Sequence, residues 1–503
     1  MDSIKQLNKP PYLMIAILFV GAFVSFLNNS LLNVALPSIM VDLQISDYST
    51  VQWLVTGYML VSGVLIPASA FLITRFSNRG LFITSMAIFT LGTALSAYAP
   101  NFAMLLAGRM IQAAGSSVMG PLLMNIMLVS FPREKRGAAM GIFGLVMITA
   151  PAIGPTLSGY IVEHYDWRLL FEMILPLAVI SLVLSIWKLG NVMVQNKNAS
   201  IDYLSVVLST LGFGGLLYGF SSASSDGWSD PIVVTTLTVG AVMLISFIVR
   251  QLKLDVPLLN LKVYKYPMFA LASIISIVNA VAMFSGMILT PAYVQNVRGI
   301  SPFDSGLMML PGAVIMGIMS PITGKLFDKF GPRLLSTVGL TITAISTYML
   351  AQLQIDSSYA YIISIYSLRM LGMSMVMMPI MTNGLNQLPT RLNPHGTAIN
   401  NTAQQVSGAI GTAILVTIMN NVTKNEAASL MAGVDMTTIT EEAKTLLGHE
   451  ALLAGIQYSF LVALGINIVA LILAFFVRRV DVSKEGDNKP SEQQRQAKPA
   501  MNG

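Results

Sequence analysis

Apolar runs of about twenty residues, separated by short polar turns, follow one another along almost the whole chain. The first begins after a polar stretch over residues 1–11 and continues to about Leu36. Others lie near 51–73, 81–99, 102–130, 138–162, 169–189, 203–222 and 231–250. A second series lies near 267–293, 305–325, 334–353, 359–383, 397–420 and 454–477. A helix crosses the hydrocarbon layer with about 20 apolar residues, so the pattern predicts fourteen transmembrane helices. The first run is too long for a signal-peptide core and shows no clear cleavage site, which predicts a retained span. The stretch 421–453 is amphiphilic and predicts a short helix or hairpin outside the membrane, and the polar tail after Asp481 predicts disorder.

Charge orients this series. Of the 29 lysines and arginines, twenty-three fall in loops or ends on one side, four on the other, and two, Arg109 and Arg369, inside spans. Positive residues gather on the cytoplasmic side of a cell membrane, so both termini are expected there. Composition agrees: 54% of the 503 residues are hydrophobic and 10% charged, against about 25% charged in soluble domains. The net charge of +6 reflects orientation and anionic lipid rather than nucleic acid. With no cysteine and three scattered histidines (His164, His395, His449), no metal, thiol or cofactor chemistry is expected. No G-x-x-x-x-G-K-[ST] loop is present, which argues against ATP drive.

The fifth span is unusual. Ala150, Gly154 and Ser158 recur every fourth residue, a spacing that lets a neighbouring helix approach closely, and Pro151 and Pro155 remove backbone donors. The sixth span then carries Glu172.

The two ends of the chain also repeat. SAFLITRFSNRG follows the second span and TGKLFDKFGPRL the tenth; Arg109-Met110 with Pro121 and Asn125 matches Arg369-Met370 with Pro379 and Asn383. Ala152-Ile153-Gly154 returns as Ala409-Ile410-Gly411. Each match is eight spans apart, which predicts two six-helix halves with two helices inserted between them. The expected units are 1–190, the inserted helices with linkers over 191–265, the second half over 266–478, and a tail over 479–503.

Together these motifs resemble the major facilitator superfamily, in particular its fourteen-helix drug:proton antiporters of the EmrB/QacA type. The resemblance rests on Asn33-Val34-Ala35-Leu36-Pro37, Arg109 with Gln112, Ala150 through Gly159, Trp167-Arg168 and the loop Gly324–Arg333. It implies an all-α membrane protein of the major facilitator fold and export of amphipathic or cationic compounds in exchange for protons. The alternative is export of a native lipid, peptide or metabolite with incidental drug transport. A monomeric carrier in the cell membrane, not an enzyme, is expected.

The chain departs from the pattern where Asn28 and Thr74 replace the usual acids. An amide cannot take up a proton near neutral pH, so Glu172 with Arg109 becomes the coupling expectation, an ion pair of Glu172 with Arg168 being the other reading. Ala150, Pro151, Gly154, Pro155, Gly159, Asp328, Gly331 and Arg333 are the expected gating residues. Asn28, Asn29, Asn33, Gln52, Tyr58, Gln112, Asn125, Asn279, Tyr293, Arg369, Asn383, Asn401, Gln404 and Gln405 are the expected cavity lining, because polar groups at membrane depth face the bundle.

Overall fold

A computed structural model describes residues 12–45, 48–192, 195, 201–223, 227–432 and 440–480. The N-terminal polar stretch, Lys197 and the tail beyond residue 480 lie outside these residues, as does the side chain of Asn33. The first half comprises α1 (Tyr12–Asp42), α2 (Tyr48–Arg75), α3 (Asn78–Ala97), α4 (Phe102–Ser130), α5 (Arg136–His164) and α6 (Leu169–Lys188). The inserted pair is α7 (Tyr203–Ala223) and α8 (Pro231–Lys253). The second half comprises α9 (Pro267–Ala292), α10 (Pro302–Phe330), α11 (Pro332–Leu350), α12 (Tyr359–Ser374), α13 (Met377–Asn386), α14 (Asn393–Met431) and α15 (Glu441–Ala474).

Among the described residues, thirteen segments are long and apolar enough to cross a membrane, α12 and α13 together forming one of them. The 19-residue α11 is the fourteenth spanning element, packed on α12 and α15. Span twelve differs from the expected continuous helix. It breaks at Met375 and Val376, whose N–H groups turn back to Gly372 and Met373 as 3-10 bonds. Pro379 supplies no N–H for the carbonyl four residues earlier, which favours the break. Helices α14 and α15 outlast their apolar stretches and pack closely at the ends of those stretches, where a Cβ on Gly455 would lie 2.5 Å from the Met419 carbonyl.

The repeat extends to packing. Glycines bring α3 against α4, where a Cβ on Gly92 would lie 2.7 Å from the Gly108 carbonyl. They do the same for α11 and α12, at 2.6 Å from Gly339 to the Gly372 carbonyl. Gly154 seats α5 on Ser30 of α1, and Gly411 seats α14 at 2.7 Å from Val281 of α9. Helix pairs at such small residues gain van der Waals contact that bulkier side chains would block. The inserted helices pack mainly on each other and touch the bundle through α2 and α14.

Candidate functional site: a two-chamber cavity between the halves

Two chambers lie between the halves. The central one, about 270 Å³, draws Asn29 from α1, Tyr58 and Ser62 from α2, Ser116 and Ser117 from α4, Ser276 and Asn279 from α9, and Asn401, Gln404 and Gln405 from α14. The second, about 470 Å³, is lined by Met147, Met283, Met287, Met309, Met316, Met370 and Met377, with Pro37, Pro151, Pro155 and Pro291. Met147, Pro151, Met283 and Met377 line both, so the chambers adjoin. No aspartate or glutamate lines either chamber among the described residues.

Behind the tyrosines stand the two intramembrane arginines. Arg109 is fully buried; its guanidinium donates to Gln112 Oε1 at 3.0 Å and to the Leu54 carbonyl at 3.4 Å, and lies 4.4 Å from the Tyr58 ring centre. Gln112 in turn donates to Thr93 Oγ1 at 2.8 Å and to Asn28 Oδ1 at 3.5 Å, while Tyr58 shares a 2.6 Å hydrogen bond with Ser116. Arg369, equally buried, donates to the Ala282 carbonyl, to Ser285 Oγ at 3.0 Å and to Thr347 Oγ1 at 3.2 Å. It follows Tyr366, a wall residue of the second chamber, by one helical turn.

One end of the bundle is sealed. It is the end carrying Arg75, Lys135 and Lys325, called here the basic end. There Asp328, at the end of α10, accepts the N–H groups of Gly137 and Ala138 through its two oxygens, each at 3.0 Å. These are unsatisfied first-turn donors of α5, a position that favours an anion. Arg136 donates to Asn386 Oδ1 at 3.0 Å, and Ser320 Oγ donates to the Gly141 carbonyl at 2.9 Å. Gly324 and Gly137 meet backbone to backbone, leaving no room for a side chain on either. One apolar cluster crosses the halves here, joining Leu122 and Phe143 to Met378, Met381 and Leu385. Away from this end the second half keeps a separate cluster around Tyr293 and Phe460.

Six of the expected lining residues meet in the central chamber: Asn29, Tyr58, Asn279, Asn401, Gln404 and Gln405. The others lie outside both chambers' walls or outside the described side chains. Asn28, Gln112 and Arg369 belong to the buried networks above. Asn125 donates to the Pro121 carbonyl of its own helix, and Tyr293 to the Gln354 carbonyl. Asn383 holds the backbone of Arg478 and Val480, and Gln52 is exposed. The methionines of the second chamber, absent from the expected lining, had one sequence signal: 33 of them in the chain.

Among the residues expected to gate, Pro151 and Pro155 line the second chamber, and Gly159 meets Phe303 of α10 at 2.9 Å from a built Cβ. Ala150 is fully buried, and Gly154 packs on α1 within the first half rather than across the gate. Gly331 turns the chain between α10 and α11 at φ 82°, a conformation that suits glycine, and Arg333 is exposed. Asp328 is bound by backbone N–H groups of α5 rather than by a neighbouring cation.

Glu172 is the main difference. It sits in the first turn of α6, exposed, because the face of α6 turned to the bundle carries Phe171, Ile174 and Ala178. Nor does Arg168 pair with it: Arg168 bonds Asp42 at 2.9 Å and Asp166 at 3.4 Å. Asp42 also accepts from Trp167 Nε1 at 3.1 Å.

Two helical halves enclose a central chamber, and direct contact between them closes one end. The chain belongs to the Major Facilitator Superfamily, whose sequence profile matches residues 18–412. It is thus a multi-pass membrane transporter of small molecules and not an enzyme. It is 46% identical to the MFS-type transporter YhcA of Bacillus subtilis over 96% of both chains. It is 44% identical to the lincomycin resistance protein LmrB of the same species, over 93% of this chain and 96% of that one. The human organic anion transporter MFSD10 shares the fold, with a TM-score of 0.64 at 12% identity, over 93% of this chain and all of that one.

Proposed function

We propose that the protein exports amphipathic organic compounds across the cell membrane in exchange for protons. The observation that carries this reading is the wall of the cavity: polar amides and hydroxyls on one side, adaptable methionines on the other, and no carboxylate among the described wall residues. Thioether side chains reshape to fit different apolar surfaces, which suits a permissive carrier. The likeness to a lincomycin resistance protein supports an exported drug as cargo.

The basic end lies in the cytoplasm, with both chain termini, so the sealed arrangement faces outward. The transporting unit is one chain, with halves over 1–190 and 266–478 rocking about the chambers. The proton acts at the seal. Protonating Asp328 removes one of the two acceptors that hold the start of α5, and the basic end separates to receive cargo. Arg109, through Gln112 and Tyr58, carries the state of the chamber to α2 and α4.

The reading is tested in everted membrane vesicles loaded with a proton gradient. Adding lincomycin should release protons, collapse of the pH gradient should stop uptake, and Asp328→Asn should lose the coupled release. Glu172→Gln should keep it. Uptake that persists with both the pH gradient and the membrane potential collapsed removes proton drive from the reading.

A further inference from the structure

We infer that the cargo is an uncharged two-part molecule, with a hydrogen-bond-donating head in the central chamber and an apolar arm in the methionine chamber, and that a fixed positive charge excludes a compound. The inference rests on the transport reading above and specifies the chemistry of its site.

Both chambers are mainly apolar, and the central one carries most of the polar side chains. In the central one, Asn29 Oδ1, Ser62 Oγ and Asn279 Oδ1 have no hydrogen-bond partner. Buried acceptors without a donor are costly, and a hydroxyl or N–H from cargo would relieve them. In the methionine chamber, Gln295 and Ser305 satisfy each other at 3.2 Å and Tyr366 is the third polar side chain, leaving a wall dominated by thioethers and prolines. A head and an arm therefore have separate places, joined where the chambers adjoin.

Charge narrows the head. A cation entering this cavity loses its water and finds no carboxylate among the described wall residues. Two buried guanidinium groups stand behind the walls instead, each next to a wall tyrosine. An aromatic ring attracts a cation through the electron density of its face. For Tyr58 that attraction is already engaged by Arg109, 4.4 Å from the ring centre. An anion fares little better. Arg109 and Arg369 bond the Leu54 and Ala282 carbonyls and Gln112 Oε1, and although Arg109 Nη2 and Arg369 Nε have no partner, neither side chain lines a chamber, so no fork is presented there to a carboxylate. The neutral head is the one whose groups match the wall.

Three probes with one arm separate these cases: 2-naphthyl β-D-glucoside, 2-naphthylmethyl-trimethylammonium and 2-naphthylacetate. Binding to the purified full-length protein in nanodiscs is read by naphthyl fluorescence anisotropy without any gradient, so a failure of proton-driven export leaves the measurement intact. The glucoside should bind at least about tenfold more tightly than the other two, a difference of one decade in affinity. Asn279→Ala, whose Oδ1 has no partner to lose, should weaken the glucoside several-fold and leave the ammonium unchanged. Met309→Ser should weaken all three probes by a similar factor. Tighter or equal binding of the ammonium or the acetate overturns the inference, as does no measurable binding of the glucoside. Thermal melting of each variant identifies one that has merely failed to fold.

Discussion

Arg109 shows why a buried side chain is hard to assign from sequence alone. Its depth was legible, since a cation within an apolar span needs a protein partner. Its partners were not: they come from α2, from its own helix and from a tyrosine ring 51 positions away in the chain. The same holds for the amides. Asn279 and Asn383 both lie in spans, yet one lines the chamber and the other grips the backbone of Arg478. Helical periodicity identifies a buried face but does not say whether it meets a cavity or another helix. Arg109→Lys tests the role of geometry at constant charge. Lysine lacks the planar fork that stacks on Tyr58 while bonding Gln112, and a charge-assisted hydrogen bond is worth about 1.5–3 kcal/mol. Transport at equal expression should fall by about tenfold or more, with a smaller loss for Gln112→Glu, which keeps an acceptor for the arginine.

At the scale of elements, α5 carries two separate stripes of small residues. The one prominent in the sequence, Ala150–Gly154–Ser158, fixes α5 to α1 at Ser30. The other, Gly137 and Gly141, meets α10 of the opposite half; a Cβ on Gly141 would lie 2.5 Å from the Ser320 carbonyl. Both stripes are visible as spacing, but only the fold says which crosses to the opposite half. Gly324→Ala should therefore hold the basic end apart. A single cysteine placed at Ser276, in a chain with none of its own, should react faster with a membrane-impermeant maleimide added from the basic side. At the other end, Asp42 joins α1 to α6 through Arg168 and Trp167. The Arg168 hydrogen bond holds the Asp42 carboxyl below its ordinary 3.8, ahead of smaller contributions from Trp167 and against desolvation. A depressed carboxylate pKa stabilises the fold above the ordinary value and loses that contribution as pH falls through the lowered one. Being partly exposed, the pair is worth at most about 1 kcal/mol. The melting temperature should exceed that of Asp42→Asn by an amount constant from neutral pH down to about pH 5 and shrinking in stronger acid.

Across the whole molecule, the fourteen-span count and the eight-span repeat were legible because lipid enforces them. Every backbone group in the hydrocarbon must be paired, so spanning segments are helices of membrane length. The constraint ends with the membrane. Helix α14 has 39 residues and would reach about 58 Å at 1.5 Å per residue, so its apolar stretch could not mark its end. The cavity, too, exists only when the halves are assembled, since Met147 belongs to one half and Met283 and Met377 to the other. That shared methionine surface should also make the transporter sensitive to oxidants. Hypochlorite or peroxide would turn accessible thioethers into polar, chiral sulfoxides, a change that methionine sulfoxide reductases undo. Brief oxidation of purified protein should weaken binding of cargo arms more than of cargo heads, with recovery after reductase treatment and sulfoxide mapped to the chamber methionines by mass spectrometry. The redox state of its surroundings thus becomes a second determinant of what this carrier accepts.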